Sequence, residues 1–242
     1  MRLTLLLVLA VAGCAAHPPD PAQPHATTAT DELLARAVAD AADANPNEVA
    51  TDLVALVPGN ERIVWRVDDA GDLWVLLATW TDWSGYEGLV GQRIPLERTL
   101  WATAAPEAQA FCRSTGLHGA ELGLRLEQYL GLHPASGKTH FVTMWARARE
   151  LVRPCPDAEV DDTRCEARGT ADDVQIGTHA HRAWFDALRE ISYGPGGYPW
   201  TRLGYTYDWA PGAGERGASE FLAPAGALIE VMSFTSTDEY CH

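Results

Sequence analysis

Apolar residues fall at helical spacing in some stretches of this chain and in β-branched or aromatic runs in others, and that pattern outlines its elements. Asp31 to Ala44 (DELLARAVADAADA) reads as a helix, with Thr30 as N-cap and Asn45-Pro46 as the stop. Asn47 to Val57 reads as a second, short helix. Arg62 to Val67 and Leu73 to Thr81 (LWVLLATWT) flank the turn DDAGD and predict a hairpin. Arg98 to Thr103 predicts another strand, and Pro106 suits the first turn of a helix running through Cys112. In Glu121 to Leu132, the residues Leu122, Leu126, Tyr129 and Leu130 recur at helical spacing, and Gly131 stands where a left-handed cap is useful. Phe141 to Ala146 predicts a strand and Ala227 to Thr235 a last one. Between them Thr178 to Tyr193 predicts an amphipathic helix with His181, Trp184, Phe185, Leu188 and Ile191 on one stripe. There is no regular βαβ alternation, so the expected class is α+β: antiparallel strands with several packed helices, forming one domain over residues 31–242.

The densest aromatic stretch of that domain is GYPWTRLGYTYDW, residues 197–209. Read as a strand from Thr201 to Trp209, period two sets Leu203, Tyr205, Tyr207 and Trp209 against Arg202, Gly204, Thr206 and Asp208. Downstream, a glycine-rich loop leads into GASEF and brings Glu220 into an adjoining strand. Two readings follow. In the first, Arg202 pairs with Asp208 or Glu220 inside a packed core. In the second, the polar face holds a small molecule. Arg202 then grips a carboxylate or phosphate, Glu220 acts as a base or hydroxyl acceptor, and Asp208, Tyr198 and Trp200 line the site. Gly204 leaves room for a close approach or marks a bulge.

The N-terminus carries Arg2, an apolar run from Leu3 to Val11 and then Val11-Ala12-Gly13-Cys14. The run is too short to span a bilayer core of about 30 Å, and it resembles the signal peptide and lipobox of bacterial lipoproteins. That resemblance implies cleavage after residue 13 and lipid on Cys14, hence a membrane partner. Ala15, in place of an aspartate, implies the outer membrane of a Gram-negative envelope. Residues 14–30 are rich in proline and poor in apolar side chains, and they form a tether of about 3.1 Å per residue.

Charge and cysteines narrow the picture further. The 242-residue chain has a net charge of −15, one unit more negative once Arg2 is removed, which repels nucleic acid. Cys112, Cys155, Cys165 and Cys241 remain after Cys14, an even number that reads as two disulfides in an oxidising compartment, with three connectivities open. The polar loop between Cys155 and Cys165 favours a local bridge, which leaves Cys112 for Cys241. A four-cysteine zinc site would need a C-x-x-C knuckle, and none occurs. His179 and His181 point apart on a helix, and Asp157-x-Glu159-x-Asp161 lacks the glycine and glutamate of a calcium loop, so no metal is expected. Phosphate-loop, G-x-S-x-G and H-E-x-x-H motifs are also absent, and no cofactor is expected.

Arg202-x-Gly204, followed after a loop by Gly217-x-x-x-Phe221-x-x-Pro224-x-Gly226, resembles the C-terminal signature of secreted NAD glycohydrolases of the tuberculosis necrotizing toxin type. The resemblance covers about 25 residues. It departs from the pattern in the enlarged loop at 210–216, in Ser219-Glu220 before the phenylalanine and in the absence of a later arginine followed by Leu-Pro. It implies cleavage of the nicotinamide N-glycosidic bond, with Arg202 and a carboxylate such as Glu220 as catalytic residues. The two function classes are therefore a lipid-anchored envelope module that binds a small molecule or an envelope protein, and an enzyme of this glycohydrolase kind.

Overall fold

The computed structural model describes residues 28–167, 174–176 and 178–242; Cys14, the signal segment and most of the tether lie outside them. Helix α1 (Ala29–Ala41) begins before its expected start because Thr28, not Thr30, caps it. The Thr28 hydroxyl accepts from the Asp31 N–H while the Asp31 carboxylate accepts from the Thr28 N–H, closing a capping box. Residues 49–57 correct a second expectation. After one 3₁₀ turn at Pro46–Glu48 they run extended, and Leu53 to Leu56 are all buried. Their backbone is satisfied from outside: Leu53 and Leu56 donate to the carbonyls of Thr163 and Val160, and Val54 donates to Ser219 Oγ.

The hairpin forms as β1 (Trp65–Val67) and β2 (Leu73–Thr81). A short β3 (Arg93–Pro95) precedes β4 (Leu100–Ala104), which runs directly into α2 (Ala105–Thr115) with Pro106 in the first turn. Helix α3 (Gly119–Tyr129) ends at a left-handed Gly131, φ 64°. Strand β5 (His140–Arg147) follows, then a small ribbon of β6 (Gln175–Ile176) and β7 (His179–Ala180) and helix α4 (His181–Ser192). The chain closes with β8 (Tyr205–Asp208), β9 (Glu215–Ala223), β10 (Leu228–Ser236) and α5 (Thr237–Cys241).

Strands order as β3-β10-β5-β2-β4-β9-β8 in one antiparallel sheet, with β1 sharing an edge of β2, so the fold is α+β as expected. One face carries Val75 and Leu77, Ala102 and Ala104, Val142 and Met144, and Phe221, all buried under the 49–57 segment and neighbouring loops. The other face sets Ala78, Trp80 and Phe141 against α2, α3 and α5. Toward the β1 end this second face carries a cluster of arginines and tryptophans. There the guanidinium groups of Arg66, Arg93 and Arg147 stack on Trp74, and Arg66 and Arg93 both bond Glu230, whose carboxyl they hold below its usual range.

Both expected disulfides are present: Cys112–Cys241 ties α2 to α5, and Cys155–Cys165 closes the polar loop. Just before that loop stands Arg153, which sequence reasoning missed. It is fully buried and donates to the carbonyls of Val54, Glu159 and Asp162, fastening the loop to the extended segment.

Candidate functional site

The stretch 197–209 is a turn followed by a short strand, which separates residues that a single long strand would have aligned. Arg202 has φ 61° and Gly204 φ 77°, so the chain reverses between Trp200 and Thr206, which face each other across a bridge. Gly204 is required there: a Cβ would stand 2.6 Å from Arg153 Cδ, so the close approach is made by a buried side chain. Arg202 is thereby turned toward α1. Its guanidinium donates to the Ala42 carbonyl at 2.6 Å and lies over the Tyr193 ring. Period two does hold within β8. Tyr205 and Tyr207 reach Glu48 and Asp40 on one side, while Thr206 and Asp208 face α3 on the other. Asp208 is gripped by both Nη atoms of Arg125, at 2.9 and 2.6 Å. The expected meeting of Arg202, Asp208 and Glu220 in one cleft does not occur, because the turn at 201–204 and the Arg125 fork claim the first two.

Glu220 takes a different path. It pairs with Thr103 on β4, which pairs in turn with Ala78 on β2, and all three stand on the helix-side face of the sheet. Its neighbours Ser219 and Phe221 point to the opposite face and are buried there. Above Glu220 a cavity of about 490 Å³ opens between the sheet, the end of α3, helix α4 and the 198–200 loop. Glu220 is half-buried, and the surface it retains is cavity wall. Among the described residues its carboxyl has no hydrogen-bond or ion-pair partner. Burial alone pushes its pKa up to about 8, with no neighbouring charge acting on it.

Aromatic residues are prominent in the walls: Trp80, Phe141, Trp101, Trp200 and Tyr198 all line the cavity. The indole N–H groups of Trp80 and Trp200 donate to Thr237 Oγ1 and the Pro154 carbonyl, which fixes both rings. Trp101, Trp184, Phe185 and Trp200 form one aromatic cluster, with ring centroids 4.9 to 6.5 Å apart. The loop that carries Tyr198 folds onto the end of α4 through a Tyr198 N–H bond to the Ser192 carbonyl. It does so only because Gly197 has no Cβ to strike that carbonyl.

The amphipathic stripe expected on α4 exists but is not packed away. Trp184, Phe185 and Leu188 are only half-buried and Ile191 is 67% exposed, while Leu188 and Ile191 line the cavity. The helix thus spends its apolar face on open space. Of the sequence candidates, the structure gathers Glu220, Tyr198 and Trp200 at one site and leaves Arg202 and Asp208 outside it. Sequence reasoning missed Trp80, Trp101, Thr103 and Lys138 as lining residues; the signal available was the alternation of Trp101 and Thr103 with buried Ala102 and Ala104 in β4.

Metal-ligating groups lie elsewhere. His118, Asp238 and His242 cluster on the surface, and the sulfurs of Cys155 and Cys165 beside Asp157 are tied up in their disulfide. His181, weighed as a ligand, is buried against Trp184 and Phe185, and His179 is exposed on β7. Comparisons with protein-family models, with curated proteins and with solved structures return no match to this chain.

Proposed function

We propose that this protein is a lipid-anchored module of the cell envelope whose folded domain binds a small, largely apolar molecule in the cavity between α4 and the sheet. The observation that carries the reading is Glu220: a carboxyl with no partner, standing on the wall of an aromatic cavity of drug-like size. A fold gains nothing from an acid with neither a cation nor a donor, and Asp208 and Glu107 each have both. The half-buried stripe of α4 supports the same reading, since a bound ligand would cover Leu188 and Ile191. Two disulfides fit an oxidising compartment, and no helix among the described residues is long and apolar enough to cross a membrane. The outer-membrane location and the lipid on Cys14 rest on the lipobox.

One observation favours the enzyme as a second reading. An acid with a pKa near 8 holds its proton at neutral pH and could donate it to a leaving group. NAD cleavage would then proceed without Arg202 as a contact, since that side chain is bonded at Ala42.

Quenching of tryptophan fluorescence by a small-molecule library tests the binding reading, with loss of the response in Trp101→Ala expected. A library without a single saturable binder would contradict it. Labelling with a fatty-acid analogue should mark the wild type and not Cys14→Ala; equal labelling would refute the anchor. Turnover of NAD abolished by Glu220→Gln with unchanged melting would move the assignment to the enzyme.

A further inference from the structure

We infer that the ligand of this cavity carries an organic cation, an ammonium group on an apolar body, whose charge sits against the Glu220 carboxylate between the rings of Trp80, Trp101, Trp200 and Tyr198. The inference rests on the binding reading above and names the class of ligand. Three observations support it.

The first is charge. The buried acids each have a partner: Asp208 has the Arg125 fork, Glu107 has Arg62 together with the N–H and hydroxyl of Ser219, and Glu127 accepts from the Ser136 N–H. Glu220 has no counterpart among the described residues, so the missing positive charge is one that a ligand can bring. The second is the chemistry of the walls. Aromatic rings around a carboxylate favour a cation, because ring faces are negative and the carboxylate is an acceptor once ionised. An anionic group at the same place would meet Glu220 itself; the indole N–H groups of Trp80 and Trp200 and the Thr206 hydroxyl are already used, and Lys138 is the one cationic side chain among the lining residues. The third is size. About 490 Å³ holds far more than an inorganic cation and suits an amine with an apolar body.

Binding such a cation favours the ionised carboxyl, so it expels a proton wherever free Glu220 is still protonated. The other titratable side chains lining the cavity are Lys138, Tyr198 and Tyr207, and on the neighbouring strand Asp208 is already neutralised by Arg125.

Benzyltrimethylammonium and its uncharged isostere neopentylbenzene form the test pair, with affinity for the full chain read from tryptophan fluorescence between pH 6 and pH 9. The expected result is that the cation binds at least tenfold tighter than the isostere at pH 9. Its affinity should fall by up to tenfold per pH unit well below pH 8, while the isostere stays flat. Glu220→Gln should remove both the preference and the pH dependence and leave the isostere bound, and Trp101→Ala should weaken both probes. If the isostere binds as tightly as the cation, or if Glu220→Gln leaves their ratio unchanged, the cation is wrong and the apolar cavity survives. If neither probe binds at any pH, both readings fall.

Discussion

Asp208 and Glu220 are acids on adjoining strands, β8 and β9, and the fold treats them in opposite ways. Asp208 is 4% exposed and locked by a two-pronged arginine, so its charge belongs to the architecture. Glu220 is half-buried, faces open space lined by aromatic rings and has no cation bonded to it among the described residues. The difference teaches how to separate structural acids from functional ones in a protein with many of both. A structural acid arrives with its partner, because burying it alone costs several kcal/mol. An acid kept alone beside a cavity adds a cost that the fold itself does not recover.

The largest expected effect lies on the structural side. Arg125→Ala strands the Asp208 carboxylate and should cost about 3 to 5 kcal/mol, seen as a lowered urea midpoint. Replacing both partners by apolar residues of similar volume should restore most of that loss, and a double mutant as unstable as Arg125→Ala would show that the pair is not the unit. Next comes Cys241→Ser, which opens the bridge between α2 and α5 and should cost roughly 2 to 5 kcal/mol without altering the cavity residues.

Glu220 should behave in the reverse sense. Its folded pKa of about 8 lies above its unfolded value, so the folded state holds the extra proton between them. Stability should therefore be full below about pH 4.5 and fall as pH rises through 8, at up to about 1.4 kcal/mol per unit. Glu220→Gln should flatten that decline and leave the protein about 2 to 4 kcal/mol more stable at pH 9. The decline that remains in the variant comes from Asp157, whose carboxyl burial also raises, to about 7. A Glu220→Gln variant less stable than wild type at pH 9 would mean that the carboxylate has a structural partner after all. The smallest effect belongs to Arg202→Ala, which loses one hydrogen bond and a ring contact, about 1 kcal/mol, and should leave ligand binding intact.

What the sequence could show tracks the reach of the physics involved. The stripes of α3 and α4, the β1–β2 hairpin and the two disulfides depend on spacing within a few turns or on a parity of cysteines, and they were legible. The extended run at 49–57 was not, because its hydrogen bonds come from Val160, Thr163 and Ser219, more than a hundred residues away. The reversal at 201–204 hid behind Arg202, a non-glycine residue with positive φ that no propensity anticipates. Half of the candidate site was readable for the same reason. Glu220, Tyr198 and Trp200 stood out as polar and aromatic groups near a glycine loop. The pairing of Asp208 with Arg125, 83 positions away, had no local trace. The void under α4 is likewise invisible in a sequence, since an apolar stripe looks the same whether it meets a core or a cavity.

The account turns on the state of one carboxyl, and a pH titration of the protein labelled with ¹³C at the glutamate side-chain carboxyl measures it directly, with the Glu220 signal assigned by its loss in Glu220→Gln. The expected midpoint in the free protein is near 8, moving downward when benzyltrimethylammonium is added. A midpoint between 4 and 5, unmoved by that cation, would mean that Glu220 is an ordinary solvated acid and would contradict the site.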